Sequence, residues 1–192
     1  MPDSNAVLAA PGPPLAESPA ASRQRTRALL LEHYDFIWRL VCRLGVQSAE
    51  AEDAAQHVFI VASQRLDDIP VGGERTFLYG TALRIAATLR RNARRRARWV
   101  ETKPADAPAP DRQPDEDLER RQALAFLDEV LSRLPDELRE VFVLSEIEEL
   151  SAPQVSAIVG IAVGTVASRL RRARQEFSKQ VKRLKAEKTR GS

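Results

Sequence analysis

Two short amphipathic segments separated by one glycine lie between residues 151 and 177, and they constrain the fold more than any other stretch of the chain. Ser151 is followed three residues later by Gln154, which matches a capping box. A helix is therefore predicted to begin near Ser151 and to end at Gly160, because glycine readily adopts the left-handed conformation of helix ends. A second helix is predicted to follow, with one buried stripe formed by Val166, Leu170, Ala173 and Phe177. The pattern predicts a helix-turn-helix.

The second helix of this motif carries hydroxyl and guanidinium groups away from its buried stripe. The residues on or beside that outward face are Thr165, Ser168, Arg169, Arg171 and Arg172. Arginine forms paired hydrogen bonds to guanine or phosphate, and small hydroxyl side chains permit close approach to the major groove of DNA. A merely solvated arginine face would have the same composition, but the cap, the turn glycine and the paired helix favour DNA recognition.

Charge is segregated along the chain, so the formal net charge of +3 understates its basic character. Residues 84–98 contain seven arginines and no acid, and residues 169–190 contain ten basic and two acidic residues. Between them, residues 101–119 contain seven acids and two bases. Two basic segments indicate two contacts with a polyanion, whereas the acidic segment is expected to lie away from phosphate.

Composition and charge also divide the chain into units. Residues 1–22 are rich in proline and alanine and are expected to form a disordered tail. Residues 23–99 and residues 117–185 are expected to form two small helical domains of an all-α protein, because the hydrophobic content of 43% suffices for packed helical cores. Residues 100–116 read as a flexible acidic linker that reaches ~60 Å when extended. A basic tail is expected at residues 186–192.

Three helices are predicted in the first domain. The first has an apolar stripe formed by Leu30, Tyr34, Ile37, Val41 and Leu44. The second spans about residues 48–66, with Ser48 as its N-cap, and its outward side carries an exposed isoleucine, Ile60, among polar groups. An exposed isoleucine indicates a protein contact, although a solvated face with one stray apolar residue fits the pattern equally well. The third helix, at about residues 74–98, keeps most of its arginines opposite its apolar stripe, which favours phosphate as their partner.

Taken together in this order, the segments resemble bacterial sigma factors of the sigma-70 superfamily, in the small extracytoplasmic-function (ECF) group. LPDELREVFVLSEIEELS followed by VGIAVGTVASRLRRAR is similar to the family's region 4, and AEDAAQHVF with RTFLYGTALRIAATLRRNARRR is similar to region 2. The similarity covers about residues 27–184. It implies a protein that joins core RNA polymerase, recognises a bipartite promoter as double-stranded upstream DNA and melted downstream DNA, and helps to melt it.

The resemblance also implies roles for particular side chains. A face with Asp53, Gln56, His57 and Ile60 is expected to bind core polymerase. The melted downstream element is expected to contact Arg75, Phe77, Tyr79, Arg84 and Arg91, because a flipped base and single-stranded DNA need cationic and aromatic support. Ordinary packing of the two rings remains an alternative. Phe77 stands where the family often has tryptophan, and Arg84 stands where it often has asparagine. Because of these differences, the promoter sequences that family members recognise are not assigned to this protein.

Other functions fit the chain less well. A polymerase-independent helix-turn-helix regulator would favour dimers and a palindromic operator, whereas this protein is expected to act as a monomer on an asymmetric site. Two histidines and one cysteine offer no metal spacing, so no catalytic residue, metal or cofactor is expected. With no signal peptide and no apolar run of membrane-spanning length, a bacterial cytoplasmic protein fits best. The resemblance makes an anti-sigma partner plausible, but no residue identifies one.

Overall fold

The computed structural model describes residues 19–99 and 117–190, and within these ranges the chain is helical without strands. The α-helices in chain order are α1 (Pro19–Arg43), α2 (Ser48–Gln64), α3 (Glu74–Trp99), α4 (Asp117–Ser132), α5 (Asp136–Phe142), α6 (Ala152–Val159) and α7 (Val163–Arg190). A 3₁₀ turn at Leu66–Asp68 precedes α3, and a π-helical turn at Val143–Ile147 follows α5. The all-α class expected from the sequence is confirmed. The linker predicted at residues 100–116 and most of the predicted tail lie outside the described residues.

Helix α1 begins at Pro19, four residues before the predicted start of the folded domain. A guanidinium nitrogen of Arg25 donates a hydrogen bond to the Ile69 carbonyl at 2.6 Å, and it lies 3.3 Å from the Glu74 carboxylate. These contacts join the first turns of α1 to the loop before α3. The prediction that residues 19–22 belong to the tail is therefore wrong, because these residues form the first turn of α1.

The N-terminal half is a three-helix unit in which α1, α2 and α3 contact one another. Its core contains Ile37, Leu40 and Val41, all fully buried. The predicted stripe of α1 is wrong at one position, since Leu29 is 5% exposed whereas Leu30 is 39% exposed. The buried stripe thus starts one residue earlier than the spacing suggested.

Helix α2 buries the face that its alanines and aromatic residue predict: Ala51, Ala54, Ala55, Val58, Phe59 and Ala62. The Phe59 ring stacks against Tyr34 of α1, with ring centroids 6.0 Å apart. Gln47 occupies the N-cap position and Ser48 is already helical, so the predicted cap is displaced by one residue. The opposite face of α2 stays exposed to solvent.

The C-terminal half places the helix-turn-helix, α6 and α7, on a support formed by α4 and α5. The Phe142 and Phe177 rings stack with their centroids 4.5 Å apart, which joins α5 to the middle of α7. Val166 and Ala173 are fully buried, as the predicted stripe requires. Packing on this side leaves the opposite face of α7 free to carry polar groups.

Helix α7 continues to Arg190, through most of the basic tail predicted at residues 186–192. Leu184 is 2% exposed and Gln180 is 8% exposed, so the last turns are packed rather than loose. The Lys188 ammonium lies 5.2 Å from the centre of the Phe126 ring of α4. The prediction of a separate tail at residues 186–192 is wrong through Arg190, because α4 supplies a partner surface.

The start of α6 has the capping box that the sequence predicts. The Ser151 backbone N–H donates to the Gln154 side-chain oxygen at 2.9 Å, and the Ser151 hydroxyl lies 2.8 Å from the same atom. Gly160 ends the helix with φ of 75°, in the left-handed region. Local sequence signals therefore determine both ends of α6.

Replacement of this cap gives a first testable prediction. Ser151→Ala removes the hydroxyl of the capping box, and we expect the free energy of unfolding to fall by about 1 kcal/mol. Urea denaturation followed by circular dichroism measures the change. Ser178→Ala is the matched control, because Ser178 is exposed on α7 and does not cap a helix. An equal loss in both variants would contradict the assigned cap.

Candidate nucleic-acid interface

The outward face of α7 combines exposed guanidinium groups with small hydroxyls. Arg171, Arg172 and Ser168 are exposed, whereas Thr165 is half-buried. The Ser168 hydroxyl donates to the Thr165 carbonyl at 3.0 Å, so its hydrogen is bonded within the helix. The two exposed arginines can reach an anion without disturbing the buried stripe. This arrangement has the shape and charge that a major-groove recognition helix requires.

The turn that positions α7 is fixed by a hydrogen bond within the motif. The Ser156 hydroxyl donates to the Ile161 carbonyl at 2.6 Å, joining the middle of α6 to the turn. A β-carbon added at Gly160 or Gly164 would meet no heavy atom of the described residues within 4 Å, so the turn is open towards solvent. A nucleic-acid backbone can therefore approach the start of α7 closely.

Arg169, predicted to contact DNA, is paired within the protein. Its guanidinium lies 3.1 Å from the Glu137 carboxylate of α5. Both side chains remain partly exposed, at 26% and 50%, so the pair is weak and can exchange its partner. The sequence shows no signal for this pair, because the two residues lie on different helices.

Release of Arg169 gives a second testable prediction. Glu137→Gln removes the carboxylate that pairs with Arg169, and an exposed ion pair contributes ~0.2–1 kcal/mol. We expect binding to duplex DNA to tighten about two- to five-fold, measured by fluorescence anisotropy at low salt. Glu176→Gln is the control, since this carboxylate of α7 pairs with Lys179 and Gln180 instead. Equal tightening in both variants would mean that general charge, rather than Arg169, causes the effect.

A cluster of cations and aromatic rings lies at the start of α3. Arg75 donates a hydrogen bond to the Tyr79 hydroxyl at 3.0 Å, and its guanidinium lies 5.9 Å from the centre of the Phe36 ring. Tyr79 is 1% exposed, so both faces of its ring are covered. Burial raises the pKa of the Tyr79 hydroxyl, and the hydrogen bond from Arg75 opposes that rise. Tyr79 thus orients Arg75 and presents no ring face to a base in this conformation.

The remaining residues predicted to contact the downstream element are more accessible. Phe77 is half-buried, and the Arg65 guanidinium lies 5.6 Å from the centre of its ring. Arg84 and Arg91 are exposed, and each donates to a threonine hydroxyl three residues earlier at 3.1 Å. The structure therefore brings an aromatic ring and two cations to the accessible side of α3. Arg65 was not predicted to belong to this cationic and aromatic cluster. The only sequence signal for it is its position just before the loop that leads into α3.

The sequence pattern favours phosphate as the partner of the α3 arginines that lie opposite the apolar stripe, but part of the basic segment has carboxylate partners within the protein. Arg90 is 6% exposed and lies 2.6 Å from Glu140. Arg94 lies 2.8 Å from Asp136, and Arg96 lies 2.7 Å from an acid of α2. These pairs form because the C-terminal half packs along α3 and α2 lies beside it, and both supply acids that the local sequence lacks.

The exposed face of α2 carries polar side chains around one large apolar side chain. Asp53, Gln56 and His57 are exposed, and Ile60 is 52% exposed among them. A large apolar side chain that stays in solvent on an otherwise well-packed helix is suited to a protein partner. The structure thus places the four residues of the predicted polymerase-binding face on one surface.

The described residues contain neither a cluster of metal ligands nor a single helix suited to a membrane. Within residues 19–99 and 117–190, no group of three or more histidine, cysteine, aspartate or glutamate side chains is arranged to hold a metal ion. In the same part of the chain, no single helix is long and apolar enough to cross a membrane. Helices α6 and α7 have sufficient length and apolar content only when they are taken together, and the chain bends by 101° between them.

Comparison with known proteins covers both halves of the chain. The family described as Sigma-70, region 4 matches residues 125–177. The ECF RNA polymerase sigma factor SigL of Mycobacterium tuberculosis is 33% identical over 153 residues, which cover 79% of this chain and 85% of that protein. The ECF RNA polymerase sigma factor SigE of Mycolicibacterium smegmatis is 32% identical over 153 residues, and there the match covers 78% of this chain but 58% of the relative.

Solved structures show the same fold. CnrH in complex with the cytosolic domain of CnrY matches with a TM-score of 0.63 at 23% identity, covering 85% of this chain and 94% of that one. The sigma factor RpoE in complex with the anti-sigma factor NepR from Bartonella quintana matches with a TM-score of 0.64 at 23% identity, covering 83% and 98%. With the identity to SigL extending over both helical halves, the chain belongs to the ECF group of sigma-70 RNA polymerase sigma factors.

Proposed function

We propose that this chain joins core RNA polymerase and directs it to a promoter that the chain reads at two places. The observation that carries the proposal is that the match to SigL extends over both halves, rather than over the helix-turn-helix alone. A polymerase-independent regulator would need only the C-terminal half. It would have no use for a second cationic helix or for the exposed apolar group on α2.

Recognition of the upstream element is assigned to α7. Arg171 and Arg172 are exposed on its outward face and can contact base edges or phosphates, while Ser168 permits close approach. Thr165 lies at the start of the helix, where recognition helices usually meet the bases. Arg169 joins this set once it leaves Glu137. These contacts read double-stranded DNA through the major groove.

Recognition of the melted downstream element is assigned to α3 and the loop before it. Phe77 offers a partly exposed ring on which a base can stack, and Arg84 and Arg91 offer charge for the strand's phosphates. Arg75 adds a further cation, held in position by Tyr79. Tyr79 acts in this proposal through Arg75 and not by direct contact with DNA.

Binding to core polymerase is assigned to the exposed face of α2. Ile60 supplies an apolar anchor, and Asp53, Gln56 and His57 supply a polar rim around it. An apolar centre with a polar rim is the usual organisation of a protein interface. The chain acts as a monomer within the complex, in the bacterial cytoplasm, and performs no catalytic step and needs no cofactor.

An anti-sigma protein is a further proposed partner. The two solved structures described above are complexes: one contains NepR, described as an anti-sigma factor, and the other contains the cytosolic domain of CnrY. The similarity to those chains concerns the fold alone. It therefore supports a kind of partner and assigns no contact surface to it.

Transcription with purified components tests the proposed function. The protein is mixed with core RNA polymerase and genomic DNA fragments, and transcript start sites are mapped. We expect discrete start sites that appear only when both proteins are present. Failure to bind core polymerase would overturn the proposal, as would start sites no more specific than those of core polymerase alone. Binding to a palindromic operator without polymerase would favour the conventional regulator.

A further inference from the structure

One guanidinium group at the start of α1 has three partners around the loop between α2 and α3, residues 65–73. A terminal nitrogen of Arg25 donates to the Ile69 carbonyl at 2.6 Å and lies 3.3 Å from the Glu74 carboxylate. Its other terminal nitrogen donates to the Leu66 carbonyl at 3.3 Å. These partners lie 41 to 49 residues further along the chain. A planar guanidinium with five donors can hold several acceptors in one fixed geometry.

Buried side chains fix both sides of this connection. Leu29, one helical turn after Arg25, is 5% exposed and belongs to the core. Residues four apart share a helix face, so the packing of Leu29 fixes the face of α1 on which Arg25 lies. On the loop side, Leu66 and Ile69 are 4% and 2% exposed. Arg25 therefore joins the loop to a firmly packed part of α1.

The Glu74 carboxylate holds the C-terminal end of the loop. Its side chain is 19% exposed. Burial raises the pKa of this carboxyl, but hydrogen bonding to the backbone at Glu74 and Gly72 and to Arg25 outweighs that effect and lowers the pKa below its ordinary value. The carboxylate is therefore charged at neutral pH and attracts the guanidinium.

The middle of the loop is a tight turn that faces solvent. The Gly73 N–H donates to the Pro70 carbonyl at 2.9 Å, and a β-carbon at Gly73 would lie 2.7 Å from the Pro70 side chain. Only glycine fits this close approach without movement. Val71, within the turn, is 93% exposed. The loop thus presents an apolar side chain to solvent just before α3.

The loop also supports the cation that lies over the Phe77 ring. Asp68 stands between the two residues whose carbonyls Arg25 binds, and its carboxylate lies 2.9 Å from the Arg65 guanidinium. The Asp68 N–H donates to the Arg65 carbonyl at 3.0 Å. The Arg65 guanidinium in turn lies 5.6 Å from the centre of the Phe77 ring. The conformation that Arg25 holds therefore extends to the ring assigned to base stacking.

From this geometry we infer that Arg25 is a positioning residue for reading the melted downstream element. It holds the loop in the conformation that presents Val71 and Phe77 to an unstacked base of a single DNA strand, and it makes no contact with DNA itself. This inference rests on the proposed function, which assigns the melted element to α3 and the loop before it. Arg25 precedes both segments that resemble the sigma family, so the first turns of α1 contribute to promoter reading.

Loss of Arg25 lets the loop adopt other conformations. The apparent dissociation constant equals the intrinsic constant divided by the fraction of molecules in the binding conformation. If that fraction falls to about one tenth, binding of single-stranded DNA weakens about ten-fold. Core polymerase binding through α2 and duplex binding through α7 do not use the loop, so both should stay unchanged.

Arg25→Gln tests the inference in the full-length chain bound to core RNA polymerase. The probe is a labelled single strand that covers the stretch just upstream of a mapped start site, and fluorescence anisotropy measures its binding. We expect about ten-fold weaker binding than in the wild type. Arg27→Gln is the matched control, because Arg27 is exposed on the same helix and the change removes the same charge. Its binding should stay within about two-fold of the wild type.

Salt dependence separates positioning from a direct contact with phosphate. For single strands, each phosphate contact by a cation contributes ~0.7 to the slope of log affinity against log salt concentration. Arg25→Gln should lower the affinity at every salt concentration and leave the slope unchanged, because molecules in the binding conformation make the same contacts as before. A slope reduced by ~0.7 would mean that Arg25 contacts phosphate, and it would overturn the inference.

Hydrogen exchange tests the physical cause without DNA. The amides of Asp68, Ile69 and Gly73 donate hydrogen bonds within the loop, so their exchange reports how often the loop opens. Arg25→Gln should speed exchange in peptides that cover residues 65–73 and leave peptides of α7 unchanged. Arg27→Gln should exchange like the wild type. Unchanged exchange of the loop in Arg25→Gln would overturn the inference.

Core polymerase binding distinguishes a positioning role from general damage to the fold. The face with Ile60 lies in the same three-helix unit, so a parallel loss of core binding in Arg25→Gln would mean that Arg25 stabilises the whole unit, and positioning would be wrong. Equal weakening of single-strand binding in Arg27→Gln would also overturn it. Specific transcription by the wild type together with unaffected single-strand binding in Arg25→Gln would refute the inference and leave the proposed function standing. Failure of the wild type to bind core polymerase would instead overturn that function.

Discussion

Ile60→Glu is expected to weaken binding to core RNA polymerase about thirty-fold or more, while the fold is retained. Truncation of an interface anchor typically costs at least ~2 kcal/mol, and a buried glutamate adds the cost of an unpaired charge. Ile60 is 52% exposed in the free protein, so glutamate at this position meets water and suits the helix. Core binding is measured by fluorescence anisotropy or by native gel shift, in the absence of DNA.

The control for this experiment is Val71→Glu. Val71 is 93% exposed in the loop before α3, so the change converts an even more accessible apolar side chain into the same acid at a different surface. Core binding of this variant should stay within about two-fold of the wild type, as surface substitutions away from an interface usually do. If both variants lose core binding equally, added negative charge is responsible and the face of α2 has been wrongly assigned.

Arg172→Ala is expected to weaken recognition of the upstream promoter element while core binding stays unchanged. A paired arginine–guanine contact contributes ~1–3 kcal/mol of discrimination, which corresponds to about five- to 150-fold in affinity. Arg172 is exposed on α7 and its removal leaves the buried stripe intact. The measurement is binding of the chain, alone and with core polymerase, to a duplex carrying a mapped promoter.

Arg183→Ala provides the comparison for Arg172→Ala. Arg183 is exposed further along α7, where it lies 2.9 Å from Glu187, and its loss should reduce DNA binding only through net charge. Sequence preference should change with Arg172→Ala and not with Arg183→Ala. A parallel loss of polymerase binding in Arg172→Ala would mean that the outward face of α7 contacts protein rather than DNA.

Features with local signals could be predicted from the sequence. The ends of α6 follow from Ser151, Gln154 and Gly160, whose effects act within a few residues. The buried face of α2 follows from its spacing, and that spacing also leaves Ile60 outside. The spacing of residues along the chain was sufficient to predict these features, because the contacts that determine them lie within one helix or between adjacent helices.

Features that depend on distant partners were missed. Arg90 looked like the other arginines of its segment, and its partner Glu140 is 50 residues away along the chain. Lys188 was predicted to lie in a separate tail, but its ammonium lies 5.2 Å from the centre of the Phe126 ring because α7 packs against α4. The covered ring of Tyr79 depends on Phe36 of α1, whose ring centre lies 5.1 Å from its own. A pattern within one helix contains no information about which other helix covers it.

Most hydrogen bonds of the buried Arg139 side chain lie within the C-terminal half. This side chain donates to the carbonyls of Leu131, Ser132 and Leu134 at 2.6, 2.7 and 3.0 Å, all at the end of α4. Of its carbonyl acceptors among the described residues, only Leu44, which follows α1, belongs to the N-terminal half. Arg139 thus ties α5 to the end of α4, and through Leu44 the same buried guanidinium also bonds to the N-terminal half.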